Sequence, residues 1–169
     1  AKGVVEFNAT ANNAHANVST IAKYLNDGSS VTINTAAGHL SNLVVGRPII
    51  PGGPIRQCVT LTLNASNDIN VESTILSRPI SLSVTMNAGH DIGVTPTDTG
   101  ALLTSDGMIT LLAKNKLSLR GTASKTSIST SAAQLVLGAN QMDIQSKIAA
   151  PFGKIIIAPT ANGRRVRVG

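Results

Sequence analysis

The amino-acid sequence predicts an all-β protein, a parallel β-solenoid in which coils of about 23 to 25 residues stack on one another. Three observations predict this class: an internal repeat, a regular alternation of apolar and polar residues, and a nearly all-aliphatic core. A single coil cannot bury its own apolar face, but the coils above and below it can. The prediction treats residues 1–169 as one solenoid domain, either complete or a fragment of a longer repeat protein.

The internal repeat carries most of the prediction. The segment Val59–Val71 recurs at Leu82–Val94 without a gap, at a shift of 23 residues. In both copies an alternating strand leads through Asn-Ala and a polar pair into Asp-Ile and a second short strand. Looser or edge copies are predicted at 31–35, 109–119, 135–144, 154–157 and 165–168. The competing fold is a β-sandwich built from hairpins, which predicts no ungapped internal match.

Within each copy, apolar residues alternate with short polar residues, as in half-buried strands. Parallel stacking at about 4.8 Å then places Leu61 over Val84 over Leu111. Asn64 and Asn87 end the first strand of their copies at equivalent positions. Because asparagine tolerates corner conformations and its side-chain amide can bond to its own kind in the next layer, we expect these residues to form a ladder.

One segment departs from the strand pattern. Apolar residues over 18–26 recur at helical spacing, Asn17 or Ser19 can cap the start, and Gly28 can close the end. The sequence therefore predicts one short helix near residues 18–26, placed at an edge of the solenoid or along one side of an early coil.

Composition narrows the function classes. Hydrophobic residues make up 42% of the chain and aromatic residues only 2%, so the core is built from Val, Ile, Leu and Ala. Charged residues make up 13%, about half the usual share. The net charge is +6, but the basic residues are spread along the chain and aromatic stacking platforms are nearly missing, so nucleic-acid binding is not predicted. No apolar run is long enough to predict a membrane span.

Residue types that carry chemistry are sparse. Cys58 is the only cysteine, which excludes an intramolecular disulfide, and His15, His39 and His90 are scattered without metal-ligand spacing. No carboxylate cluster or nucleophile motif is visible, so we predict no catalytic residue, no metal, no cofactor and no enzyme. A glycan-active β-helix enzyme is the weakest of the alternatives.

Asp68 and Asp91 occupy equivalent positions in the two best copies. Stacked one coil apart, the two carboxylates would either repel, share a cation, or serve as hydrogen-bonding turn residues. The glycine-rich calcium-binding nonapeptide is absent, which favours the turn interpretation.

Two loops and one basic cluster are the candidate contact sites. The stretches 47–54 and 95–101 are rich in proline or glycine and are predicted to bulge between coils, where repeat proteins carry binding surfaces. The residues expected to contact a partner lie in these loops or just beyond them: Arg47, Arg56, Thr97 and Asp98. The cluster Arg164, Arg165 and Arg167 is interpreted mainly as a charged edge strand, with contact to acidic glycans as the alternative.

The segments 16–35, 61–71 and 82–94 resemble the filamentous haemagglutinin-like exoproteins of two-partner secretion systems. The resemblance rests on a Leu-Asn-x-Gly turn before a Val-Thr-Ile strand, and on two copies of a strand, Asn-Ala and Asp-Ile unit. It implies a right-handed parallel β-helix that is exported and is either secreted or displayed at the bacterial cell surface. Members of that family act as adhesins, haemolysin-like proteins, ligand-capturing proteins or toxin-delivery stalks.

The functional prediction is therefore a secreted or cell-surface structural and adhesive module, with no enzymatic activity. Its expected partners are a host-cell receptor, a glycan or another surface protein. The alternative is a self-assembling subunit of an extracellular fibre, in which the apolar ends of the solenoid stack end to end.

Overall fold

A computed structural model describes residues 2–10, 14–35, 40–52, 58–76, 81–95, 102–103, 107–121, 126–132 and 134–161. It contains one helix and fifteen strands in these parts of the chain. In chain order they are β1 Val4–Asn8, α1 Val18–Asn26, β2 Ser30–Asn34, β3 Leu43–Val45, β4 Val59–Ala65, β5 Ile69–Val71, β6 Leu82–Ala88, β7 Ile92–Val94, β8 Leu102–Leu103, β9 Ile109–Ala113, β10 Lys116–Leu119, β11 Thr126–Ser129, β12 Gln134–Gly138, β13 Gln141–Ile144, β14 Lys147–Ala149 and β15 Lys154–Ala158.

The strands form three sheets that run along the stack. The first has seven strands in the order β1-β2-β4-β6-β9-β12-β15, the second has the order β3-β5-β7-β10-β13, and the third has the order β8-β11-β14. Every pairing between these strands is parallel. The chain is a parallel β-solenoid, as predicted, and the hairpin sandwich is wrong because hairpins pair strands antiparallel.

The core is made of columns of like side chains, one from each coil. In the first sheet a column of five residues is completely buried: Val31, Leu61, Val84, Ile109 and Leu135. In the second sheet Ile69 pairs with Ile92, at the predicted shift of 23 residues. Aliphatic side chains of similar size suit this stacking, because each layer offers the next the same shallow surface.

One predicted register is wrong by two residues. Val84 pairs with Ile109, and Leu111 pairs with Met86 in the neighbouring column. A shift of two residues leaves every apolar side chain on the core face, so alternation alone cannot distinguish the two registers.

The predicted asparagine ladder is confirmed and is longer than expected. The side-chain amide of Asn87 donates to Asn64 at 2.8 Å, Asn64 donates to Asn34 at 2.8 Å, and Asn34 donates to Asn8 at 2.7 Å. The ladder stops at the next coil, where Leu112 pairs with Asn87. This corner of the first four coils is therefore tied by side chains as well as by backbone bonds.

The predicted helix is also confirmed. Asn17 caps α1, its side-chain oxygen accepting from the backbone N–H of Ser19 at 2.8 Å, and Gly28 ends the turn at φ 83°. Ile21 and Leu25 are buried against the solenoid core. Within the described part of the chain, no helix combines the length and apolarity needed to cross a membrane.

The third sheet was not predicted. Outside the three sheets, an isolated parallel bridge joins Ile49 to Ile75, and both side chains are buried. Ile49 lies within the stretch 47–54 that the sequence assigns to a loop. Prolines flank this segment, but a single buried isoleucine between them is enough to join the stack.

Candidate functional site

Among the described residues, a group of three ionisable side chains lies where the first sheet turns into the second. Asp68, His90 and Asp91 bring ligand-type atoms within 4.8 Å of one another. Asp68 and Asp91 come just before β5 and β7, so the parallel register stacks them one coil apart, as the sequence predicts. The chemistry of this corner depends on how their oxygens are already used.

Each aspartate bonds to the coil that follows it. Oδ1 of Asp68 accepts from the backbone N–H of Asp91 at 3.0 Å and lies 3.3 Å from Nδ1 of His90. Oδ1 of Asp91 accepts from the backbone N–H of Lys116 at 2.9 Å and from the side-chain amide of Asn115 at 2.8 Å. One oxygen of each carboxylate is therefore engaged by two groups of the next coil.

The same arrangement occurs one coil earlier with a neutral side chain. Oδ1 of Asn42 accepts from the backbone N–H of Asp68 at 3.2 Å and from the side-chain amide of Asn67 at 2.9 Å. We call the residues that take part in these hydrogen bonds the corner ladder: Asn42, Asn67, Asp68, His90, Asp91, Asn115 and Lys116. Because an asparagine fills the acceptor position as an aspartate does, the arrangement supports the interpretation of both aspartates as hydrogen-bonding turn residues.

His90 continues the corner ladder. Its Nδ1 stands where Asn67 and Asn115 place a side-chain amide, 3.3 Å from Oδ1 of Asp68 and 3.3 Å from Oδ1 of Asp91. A metal ion held by these atoms would compete with the backbone N–H groups that already bond to both oxygens. The described residues of this corner thus form a structural network with an exposed rim.

Two variants of Asp91 distinguish a hydrogen-bonding role of this carboxylate from a cation-binding role. Asp91→Asn keeps the acceptor oxygen, and we expect it to change the free energy of unfolding by less than about 0.5 kcal/mol. Asp91→Ala removes the acceptor for two donors, and we expect a loss of about 1–2 kcal/mol. Urea denaturation of the two variants measures the difference. Equal losses, or a calcium-dependent stabilisation of the parent chain that Asp91→Asn abolishes, would contradict the hydrogen-bonding role.

A cavity of about 450 Å³ lies at the amino-terminal end of the solenoid, between β1, the start of α1 and β3. Its apolar lining comes from both the helix and the sheets: Phe7, Val18, Ile21, Ile33, Leu43 and Leu63. The titratable residues of the lining are Glu6 and His15, both exposed. The volume is typical of small-ligand pockets.

The predicted contact residues fall in different parts of the chain. Arg47 is exposed and follows β3, where it is free to meet a partner. The other predicted contact residues and one histidine lie outside the described residues: His39, Arg56, Thr97, Asp98, Arg164, Arg165 and Arg167. Their contact roles stay predictions.

Charge is distributed unevenly along the axis. Residues 1–106 carry five basic and seven acidic side chains, net −2, and residues 107–169 carry nine basic and one acidic, net +8. In a solenoid, chain order becomes position along the axis. Among the described residues, 2–103 carry a net charge of −2 and 107–161 a net charge of +4, so the last third of the chain is basic. Sequence reasoning missed this difference because it weighed only the overall charge.

The stacked core and the two polar ladders define the class: this is a parallel β-solenoid whose corners are tied by side-chain hydrogen bonds. Comparisons with protein-family models, with curated proteins and with solved structures found no match.

Proposed function

We propose that the chain is a rigid structural and adhesive module without enzymatic activity, similar in role to a haemagglutinin-like exoprotein segment. One observation carries the proposal: the seven strands of the first sheet stack in parallel from β1 to β15. A fold of this kind holds its corners and loops at fixed spacing along an axis. That property suits presentation of a surface to a partner.

The surface supports an adhesive role. The outward positions of the central strands carry short neutral side chains, such as Thr62, Thr85 and Thr110, which pair in adjacent coils. Basic residues dominate the carboxy-terminal half. Such a surface fits an acidic glycan or an acidic patch on a host-cell receptor or other surface protein. The resemblance to exported proteins supports placing the module outside the cell, secreted or at the bacterial cell surface.

An adhesion assay tests the proposal. Beads coated with the chain are expected to be retained on a cultured epithelial layer or on an acidic polysaccharide, and retention should weaken as salt is raised. Replacing Arg47 and Arg56 together by alanine is expected to lower retention at least about twofold, because each Arg contributes charge-assisted bonds. Lys2→Ala is the control, because Lys2 is exposed and lies outside both the predicted contact loops and the basic carboxy-terminal region. If the beads that carry the chain are retained no better than beads coated with albumin, the adhesive role is rejected.

A further inference from the structure

The two ends of the seven-stranded sheet are complementary to each other. Among the described residues, β1 is the edge strand at the amino-terminal end and β15 the edge strand at the carboxy-terminal end. Each has five residues, long enough to add a further strand. Edge strands of this length are templates for pairing with another chain.

The carboxy-terminal edge exposes side chains that inner coils bury. Ile155 pairs with Leu135, and Ile157 pairs with Leu137, so both isoleucines point to the core side. Leu135 and Leu137 are completely buried, whereas Ile155 is 39% exposed and Ile157 is 37% exposed. These two isoleucines lack a layer on top of them within the described structure.

The amino-terminal edge carries the matching residues. Val5 and Phe7 continue the same two columns, since Val5 pairs with Val31 and Phe7 pairs with Ile33. Both are only half-buried. A β1 strand laid on β15 in the native register would place Val5 on Ile155 and Phe7 on Ile157, and so would cover side chains that no other described strand covers.

The backbone groups of the two edges also match. In a parallel ladder, alternate residues turn their N–H and C=O to opposite neighbours. The bond from Ala9 N–H to Asn34 O shows that β1 uses its odd residues towards β2, so Glu6 and Asn8 face the open side.

On the other edge, the bond from Ala139 N–H to Ala158 O shows that β15 uses its even residues towards β12. The N–H and C=O groups of Ile155 and Ile157 therefore face the open side. On each edge, alternate residues turn their N–H and C=O groups away from the neighbouring strand, in the phase that continues the ladder from one edge to the other.

Charge favours this polarity of contact. Lys154 and Glu6 are both exposed and point outward from the two edge strands. In the native register Lys154 would pair with Val4, one diagonal step from Glu6 and within reach of its carboxylate.

We propose that this chain associates head to tail with further copies of itself, through parallel pairing of β15 of one copy with β1 of the next. The partner is a second copy of this chain. The proposal goes beyond the proposed structural and adhesive function. It does not depend on adhesion, because it concerns the edge strands β1 and β15 and not the sides of the solenoid.

Sedimentation velocity of the intact chain tests the proposal. The weight-average sedimentation coefficient is expected to rise with protein concentration and to fall as salt is added. Ile157→Asp is expected to lower the association constant about tenfold or more, because it places a charge in the apolar contact. Val44→Asp, at an exposed valine on the edge of the second sheet, is the matched control and should associate as the parent does.

A charge exchange tests the register without touching the core. Glu6→Lys and Lys154→Glu are each expected to weaken association a few-fold, and the double variant is expected to recover it. Both positions are exposed, so thermal unfolding should be unchanged and this pair remains informative if Ile157→Asp fails to fold. A chain that sediments as a monomer at every concentration, or association that none of these changes affects, would overturn the proposal. The adhesion assay, repeated on a monomeric variant, tests the adhesive role independently of self-association.

Discussion

Gly89→Ala is expected to destabilise the protein by about 3 kcal/mol. Gly89 lies at the corner after β6, and its N–H donates to the carbonyl oxygen of Ala65 in the preceding coil at 2.9 Å. A Cβ atom at this position would collide with the backbone carbonyl of Ser66. Backbone atoms of a stacked coil cannot rotate away as a side chain can, so two coils would have to separate.

Gly46→Ala is the matched control, because a Cβ atom there meets nothing within 4 Å. Urea denaturation of both variants measures the free energies of unfolding, and we expect Gly46→Ala to lie within about 0.5 kcal/mol of the parent chain. Similar effects for the two variants would mean that the corner of Gly89 is not packed as closely as the structure shows.

Leu61→Ala is expected to cost about 3 kcal/mol, within the usual range for a fully buried leucine. Leu61 is completely buried between Val31 of one coil and Val84 of the next. The solenoid backbone is held by ladder bonds on both sides of β4, so it cannot close over the space that the leucine leaves. The loss therefore includes a cavity term besides the lost burial.

Thr62→Ala is the control for this change, since Thr62 is the next residue on β4 and points away from the core. We expect it to cost less than about 1 kcal/mol. The same denaturation measurement compares the two. A Leu61→Ala loss no larger than that of Thr62→Ala would contradict the buried column.

Much of the fold could be predicted from sequence because a solenoid repeats its local rules. The ungapped match between Val59–Val71 and Leu82–Val94 gave the register of two strand pairs, and both are observed. The helix and the asparagine ladder followed from residue types with strong local preferences. Prediction failed where spacing varies: the chain takes 25 residues from Val84 to Ile109 but 30 from Val31 to Leu61.

The candidate site was only partly predictable. The equivalence of Asp68 and Asp91 followed from the repeat. The side chains that contact Asn42, Asp68 and Asp91, however, are an asparagine, a histidine and an asparagine in successive coils. Side chains as different as Asn67 and His90 can place a nitrogen atom at equivalent positions of successive coils. A comparison of the repeats by residue type does not identify such residues as equivalent. The amino-terminal cavity depends on how α1 lies across the first coil, which helical periodicity does not specify.

Nuclear Overhauser contacts between methyl groups of a selectively labelled sample test the stacked coils most directly. The structure predicts strong contacts between Leu61 and Val84 and between Ile69 and Ile92, with Val84 also close to Ile109. Parallel pairing also predicts that the short Hα–Hα contacts of antiparallel strands are absent between β4 and β6. Strong Hα–Hα contacts there, without the methyl contacts, would contradict the solenoid.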